Sequence, residues 1–296
     1  MAKKAKKKRV YFKYRRTVQI FSLVFLLAVP FLNLIGIHFF NGWYQSLGVG
    51  YWFIASPLES FESFLISRTF FLTLFVSFLT PFLLALILGR VFCSWLCPFG
   101  LLSEWVSDFR QWIYRKWLHV SHPPEGLFRV PRWIVWIVLT AEIAASLMVG
   151  TSLFSIYSPP GVIGREAMRL AFFHIFGGEI LFILIFLTLE LFVVRRGFCR
   201  YVCPLGASLS LLGQPRKLRV ELTPSKCASI CRVCDNHEIC TWGLMPKLGE
   251  GNSIYCTNCG DCIDICPFDA LKFVWKSRQS VADVEKNRSV EHGNGR

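Results

Sequence analysis

The chain has 296 residues, of which 53% are hydrophobic and 18% charged, with a mean hydropathy of +0.45. That balance favours a membrane protein over a soluble enzyme. The net charge of +14 suggests nucleic acid until it is located: residues 1–16 hold nine Lys/Arg and no acid, leaving +5 for the other 280, so no nucleic-acid partner is expected.

A basic segment ahead of an apolar span keeps the N-terminus in the cytoplasm and attracts anionic membrane lipid. Thr17–Ile37 is the first apolar span, with Pro30 as a kink. A cleaved signal peptide is the competing reading, but the span is long for one and no small-x-small site follows. Residues 41–68 read as an outer loop with one basic residue and many aromatics. Thr69–Leu88 is the second span, with Pro81 near its end. Gly89–Arg132 carries six Lys/Arg, which places it in the cytoplasm. Inside it, Leu102, Trp105, Phe109, Trp112 and Ile113 recur at helical spacing, opposite Asp108, Arg110 and Arg115. That pattern fits a helix on the membrane surface, or a plain packed helix.

Trp133–Val149 is the third span and Thr151–Gly178 a second outer loop. The fourth span covers Ile180–Val194, with a start as early as Phe172. Glu142 sits in mid-span, where an ionised carboxylate costs a few kcal/mol. It is therefore a candidate proton acceptor, and His174 and Arg169, at the outer ends of spans, are candidates to line such a site; a neutral Glu142 bonded to a neighbouring helix, and interface anchors, are the plainer readings. Glu190 lies one turn from Arg195 and Arg196, as in a snorkelling ion pair.

The chain repeats itself. Arg90-Val-Phe-Cys93-Ser-Trp-Leu-Cys97-Pro98-Phe-Gly100 matches Arg196-Gly-Phe-Cys199-Arg-Tyr-Val-Cys203-Pro204-Leu-Gly206 at six of eleven positions. The loops echo one another too, as Ile54-Ala-Ser56-Pro57 and Ile156-Tyr-Ser158-Pro159. Each unit is two spans followed by C-x3-C-P, so the repeats are parallel and both motifs lie on the cytoplasmic side. Cys93, Cys97, Cys199 and Cys203 then converge. A third iron or Fe–S site, a pair of redox dithiols, and small buried cysteines under tight turns all stay open. The i, i+4 spacing puts two cysteines on one helix face, although Pro98 ends a helix at Cys97.

All twelve cysteines fall in tight motifs, which argues for metal ligation in a reducing compartment. Cys256, Cys259, Cys262 and Cys266-Pro267 form the bacterial C-x2-C-x2-C-x3-C-P run for a [4Fe–4S] cluster. In that run the fourth cysteine serves a second cluster. The assignment is Cys227, Cys231, Cys234 and Cys266 for cluster one, and Cys256, Cys259, Cys262 and Cys240 for cluster two. The upstream run is irregular, with Thr241 where proline is usual. The expected fold is thus mainly α. Residues 1–16 form a basic cytoplasmic arm and 17–214 a four-transmembrane-helix bundle built from a tandem two-helix repeat. Residues 215–276 form a small α+β ferredoxin-like part with two clusters, and 277–296 a disordered tail.

Spans, paired C-x3-C-P motifs and a C-terminal two-cluster part together resemble the NapH/MauN ferredoxin-type membrane proteins, over about residues 17–276; NosR and CcoG share parts of the pattern. The resemblance implies a multi-pass quinol dehydrogenase subunit of the bacterial inner membrane, with both termini cytoplasmic. Menaquinol or ubiquinol would be the substrate, and a periplasmic ferredoxin-type (NapG-like) or cytochrome protein the partner. Donation of electrons for maturing or reactivating a metalloenzyme is the alternative, and a structural Fe–S scaffold the third. No C-x-x-C-H and no G-x-G-x-x-G occurs, which speaks against haem c and NAD chemistry.

Overall fold

The computed structural model describes residues 9–36, 38–43, 46–69, 72–117, 119, 131–227 and 240–275. Helix α1 (Val10–Leu34) is 25 residues long, about 37 Å at 1.5 Å per residue. Its pattern is inverted for a water-soluble helix. Arg15, Gln19 and Ser22 are buried, while Val18, Phe21, Val24 and Phe31 face outward. Among the described residues α1 is the one helix long and apolar enough to cross a membrane; α3 (Leu72–Leu88) and α6 (Ile134–Val149) are shorter apolar helices. The fourth expected span is α9 (Glu179–Phe192), which starts at the late end of its expected range. Gly177 and Gly178, both poor helix formers, precede it.

Both outer loops are more structured than expected. Residues 41–68 hold a three-stranded antiparallel sheet, β1 (Phe40–Trp43), β2 (Ser46–Val49) and β3 (Trp52–Ala55), followed by α2 (Pro57–Ser67). Residues 151–178 hold α7 (Leu153–Tyr157) and α8 (Pro159–Phe173). The Ser-Pro echo has a physical cause. Ser56 Oγ accepts the Glu59 N–H at 3.3 Å, and Ser158 Oγ accepts the Gly161 N–H at 3.2 Å. Each serine caps a helix whose first position is the following proline, where no N–H is missed. Both helices close on a left-handed residue, Arg68 at φ 51° and His174 at φ 55°.

Two short turns follow the spans: α4 (Val91–Trp95) and a π turn over Phe198–Val202. Helices α5 (Pro98–Trp117) and α10 (Pro204–Leu212) come next. The packing is reciprocal. Helix α1 rests on α5 and α8, as α6 rests on α10 and α2; α5 packs on α9, as α10 packs on α3. Each half's first helix thus lies against the other half's Ser-Pro helix, the arrangement a duplicated unit makes about a twofold. Helix α5 turns its small and polar residues inward: Ser103, Glu104, Ser107 and Arg110 are buried, and Trp105, Phe109 and Trp112 face out.

The C-terminal part pairs β4 (Leu218–Leu222) antiparallel with β5 (Leu271–Trp275), Leu222 opposite Leu271. With α11 (Asp261–Ile265) they enclose Val220, Ile263, Cys266, Ala270 and Leu271. This part is fastened to the helices by hydrogen bonds to their main-chain groups. Lys217 N–H donates to Ile87 O at 3.0 Å, and Asn258 Nδ2 donates to both Leu88 O and Leu218 O at 3.0 Å. Phe12 N–H in α1 donates to Asp264 Oδ2 at 2.8 Å.

Candidate iron–sulfur and thiol sites

The two C-x3-C-P turns are built alike. Cys97 N–H donates to Phe92 O at 2.9 Å and Cys203 N–H to Phe198 O at 2.8 Å, both five residues back. The following proline forbids the α conformation at each second cysteine, and Cys203 sits at φ −70°, ψ 109°. Hence Cys97 does not continue the helix of Cys93; it stands at the N-terminus of α5, as Cys203 stands at that of α10. There the N–H groups of Phe99 and Gly100 bond Cys97, and those of Leu205 and Gly206 bond Cys203. The motif glycine has a steric reason. A Cβ on Gly100 would lie 2.8 Å from Cys93 O, and one on Gly206 would lie 2.6 Å from Arg90 Nη2 and 3.5 Å from Cys199 O.

Cys93, Cys97, Cys199 and Cys203 line one narrow cleft, walled by Phe92, Phe99, Phe154, Phe198, Pro160 and Trp242. The structure therefore brings together the four thiols that the repeat predicted. Burial pushes the Cys97 thiol up to about 12 and Cys203 to about 11, and in both cases the Cys93 thiol adds to it. Cys199 is also raised, by burial and then by Glu190. Around these sulfurs stand buried donors. Arg90 is 4% exposed and Arg196 0%. Trp242 Nε1, Arg90 Nε, and Arg196 Nε and Nη1 have no acceptor. Leaving such groups unpaired is costly, so the cleft is shaped for a negatively charged guest. A thiolate-bound iron–sulfur group has that charge and those ligands. Among the described residues no three His, Cys, Asp or Glu side chains gather closely enough to hold a single ion.

In the ferredoxin-like part, Cys240, Trp242 and Leu244 form a small core with Cys256, Tyr255, Cys93 and Cys199. Cys259 feels the charges of Cys240 and Cys262. Cys227 and Cys266 meet in the core around Val220, and Ala270 N–H donates to Cys266 Sγ at 3.4 Å, a bond suited to a thiolate. Cys231 and Cys234 lie outside the described residues.

Between the two parts lies a charge cluster that pattern reading missed. Glu104, 5% exposed, pairs with Arg15 at 2.8 Å and with Arg196, while Arg15 also reaches Asp261 Oδ1 at 3.1 Å. Burial alone would raise the Glu104 carboxyl; Arg196 and Arg15 outweigh it and hold the group below the ordinary range. Gln19 Nε2 donates to Ser94 O at 2.7 Å and locks α1 onto the first motif. Glu190 differs from expectation. It accepts from Ser103 Oγ and, at 3.3 Å, from Phe198 N–H, so it braces the second motif rather than forming an ion pair with Arg195 or Arg196.

Glu142, His174 and Arg169 make separate contacts. Arg169 pairs with Glu166 at 2.9 Å and Glu179 at 2.8 Å, closing the α8–α9 turn, and His174 is that helix's exposed left-handed cap. Glu142 accepts from Ser146 Oγ at 3.2 Å and faces Glu62. Glu62, 1% exposed, accepts from Ser152 Oγ at 2.5 Å. Burial and the Glu142 carboxyl push Glu62 up to about 8. It lay in a stretch read as a loop, which hid it. An apolar cavity of about 290 Å³ opens beside the cysteine cleft, between α3, β3, α4 and α10. Phe92, Pro160 and Leu205 form walls of both.

The 4Fe-4S binding domain family matches residues 70–117 and again 176–221, once in each half of the repeat, and a second 4Fe-4S binding domain family matches 252–272. The chain is similar to ferredoxin-type protein NapH of Escherichia coli (28% identical, 64% of this chain and 63% of the relative). It is similar to NapH of Haemophilus influenzae (26%, 88% of each) and to methylamine utilization ferredoxin-type protein MauN of Methylobacillus flagellatus (30%, 49% and 48%). No solved structure matches. A mainly helical chain with these domains and relatives belongs to the NapH/MauN-like ferredoxin-type proteins and is an iron–sulfur electron-transfer protein.

Proposed function

We propose that the chain is the quinol-oxidising membrane subunit of an electron-transfer chain. The observation that carries this reading is the cavity. Its lining is apolar apart from the hydroxyls of Ser56 and Thr80, and it shares a wall with the four-cysteine cleft. A lipid-soluble ring would be held there by Leu84, Ala85 and Leu209, with its electrons one side chain away from the sulfurs. The outward apolar faces of α1, α3, α6 and α9 support four spans in lipid. Phe75 and Leu83 on α3, Ile137 and Leu147 on α6, and Leu181 and Ile185 on α9 all face out. Both C-x3-C-P turns and the ferredoxin-like part then lie on the cytoplasmic side, where the basic segments fall.

When bound, iron–sulfur groups supply one-electron oxidation and reduction. The chain's own residues do the rest. Cys93, Cys97, Cys199 and Cys203 would hold one group. Cys227, Cys231, Cys234 and Cys266 would hold a second, and Cys240, Cys256, Cys259 and Cys262 a third. Phe92, Phe99 and Phe198 keep water from the cleft. Asn258 and Arg216 fix the Cys256 loop against the helices, Arg216 Nη1 donating to Cys256 O at 3.1 Å. Electrons leave to a ferredoxin-type or cytochrome acceptor. The test fills the cavity. Leu84→Trp, on an exposed part of its wall, should slow oxidation of a short-chain quinol at least tenfold with iron content unchanged. Unchanged quinol kinetics in that variant would remove the cavity, and with it the reading.

A further inference from the structure

Trp242 occurs once, outside the repeat, yet both halves of the repeat meet on it. Arg90 and Arg196 open the two motifs at equivalent positions. Their guanidinium carbons lie 5.1 Å and 5.2 Å from the Trp242 ring centroid. The indole is 4% exposed and lines the four-cysteine cleft. It also packs with Cys240 and Leu244, in the same small core as Cys256. It therefore stands between the cleft and the ferredoxin-like part.

Its Nε1–H is buried without an acceptor. A native structure seldom leaves a buried donor unmet, because the loss is about 1–3 kcal/mol. The cleft wall is largely phenylalanine, proline and leucine. Ser158 is its one hydroxyl, and it caps α8. Among the side chains that line the cleft, the acceptors left are the four sulfurs. Two flanking cations also draw electron density from the ring and make the N–H a stronger donor.

We propose that the Trp242 indole N–H donates a hydrogen bond to a sulfur of the group held by Cys93, Cys97, Cys199 and Cys203, and thereby favours its reduced form. The proposal rests on the iron–sulfur reading of the cleft. The chemistry balances simply. One electron enters from quinol, negative charge on the sulfurs rises, and the N–H···S bond strengthens without proton transfer. Hydrogen bonds to cluster sulfurs are among the known controls of reduction potential.

The experiment uses the full chain, purified anaerobically and titrated with dithionite under EPR. Cys97→Ala and Cys203→Ala identify the signal that belongs to the cleft. Trp242→Phe keeps the ring and removes the donor. It should shift the reduction equilibrium of that signal about tenfold toward the oxidised form, 59 mV for a one-electron couple. Trp242→His, which keeps a ring N–H, should recover part of the shift. Independently of any variant, wild-type protein carrying 15N-indole tryptophan should show a 15N coupling to the cleft centre in pulsed EPR, because Trp242 is the tryptophan that lines the cleft among the described residues; this measurement decides the matter if Trp242→Phe loses its iron. A cleft signal with no 15N coupling, or with the same potential in Trp242→Phe, overturns the proposal and leaves the cluster reading standing. Absence of any signal that depends on Cys97 and Cys203 overturns both.

Discussion

Replacing Glu104 with glutamine should loosen the joint between the helices and the ferredoxin-like part. Glu104 is the shared anion of Arg15 and Arg196, which are 1% and 0% exposed, and Arg16 stands 3.8 Å from its second oxygen. Glutamine keeps the shape and one acceptor but removes the charge. Two buried guanidinium groups are then left with Asp261, which already serves Arg15 at 3.1 Å. Breaking one partnership in a buried ion pair costs about 3–5 kcal/mol. At about 2–4 °C per kcal/mol for a chain of this class, the midpoint should fall by roughly 6–20 °C. Intrinsic fluorescence during heating in detergent measures it, and the ten tryptophans give ample signal. The double variant Glu104→Gln/Arg196→Gln should be less damaged than the two single losses added together, since the second change removes a charge stranded by the first. The group also predicts a pH effect. A carboxyl held below its ordinary value gives stability that is present above about 4.5 and lost as pH falls through the folded value. Glu104→Gln should flatten that acid limb. A midpoint within 2 °C of wild type, with strictly additive effects, would refute the account of the joint.

Other expectations follow from single contacts. Gly100→Ala should destabilise the first motif by about 1–3 kcal/mol, because its Cβ meets backbone at Cys93 O, which has no room to yield. Gly206→Ala should be milder, because its nearest neighbour is the end of the Arg90 side chain; thermal midpoints and iron content of the pair rank them. Glu62 has the opposite pH signature to Glu104. A carboxyl raised from 4.5 to about 8 is neutral in both states at low pH, so its contribution is intact below 4.5 and is lost as pH rises through about 8. Glu62→Gln should therefore melt higher than wild type near pH 8 and equally at pH 4.5. Equal midpoints at both pH values would mean that Glu62 is ionised in the folded chain.

The turns that carry the cysteines were readable because they are local. The spacing of Cys256–Cys266, the C-x3-C-P repeat and the Ser-Pro echo each describe a turn whose geometry is set within a dozen residues. The convergence of Cys93, Cys97, Cys199 and Cys203 was readable too, since the two motifs hold equivalent positions in a repeated unit. What escaped was long-range. Glu62 and Glu104 look like surface residues of a loop and of an amphipathic helix, and only the reciprocal packing of the halves buries them. Helix α5 was expected to set Trp105, Phe109 and Trp112 opposite Asp108, Arg110 and Arg115; Asp108 and Arg115 are exposed, but so are the three aromatics, and Arg110 is buried with Ser103, Glu104 and Ser107. Periodicity separates the two faces of a helix but does not say which of them packs inward.

The duplicated halves are not electrically equivalent. Position 104 in the first half is glutamate, and its counterpart in the second half, at the same distance past the motif glycine, is Ser210. Arg196 is therefore neutralised by Glu104, while no carboxylate pairs with Arg90 among the described residues. Both arginines flank Trp242, yet only Arg90 brings an uncompensated charge to the cleft. Their glutamine variants should separate accordingly. Arg196→Gln leaves the Glu104 carboxylate with Arg15 and the more distant Arg16, one close partner fewer, so its main effect should be a fall in the thermal midpoint. Arg90→Gln strands no anion, so the midpoint should hold to within a few degrees. The charge it removes is one that favours added electrons, so reduction of the cleft group should become harder, by potentiometric titration. If Arg90→Gln melts as low as Arg196→Gln and titrates like wild type, the two arginines are equivalent structural clamps, and the divergence at position 104 carries no electrostatic consequence for the cleft.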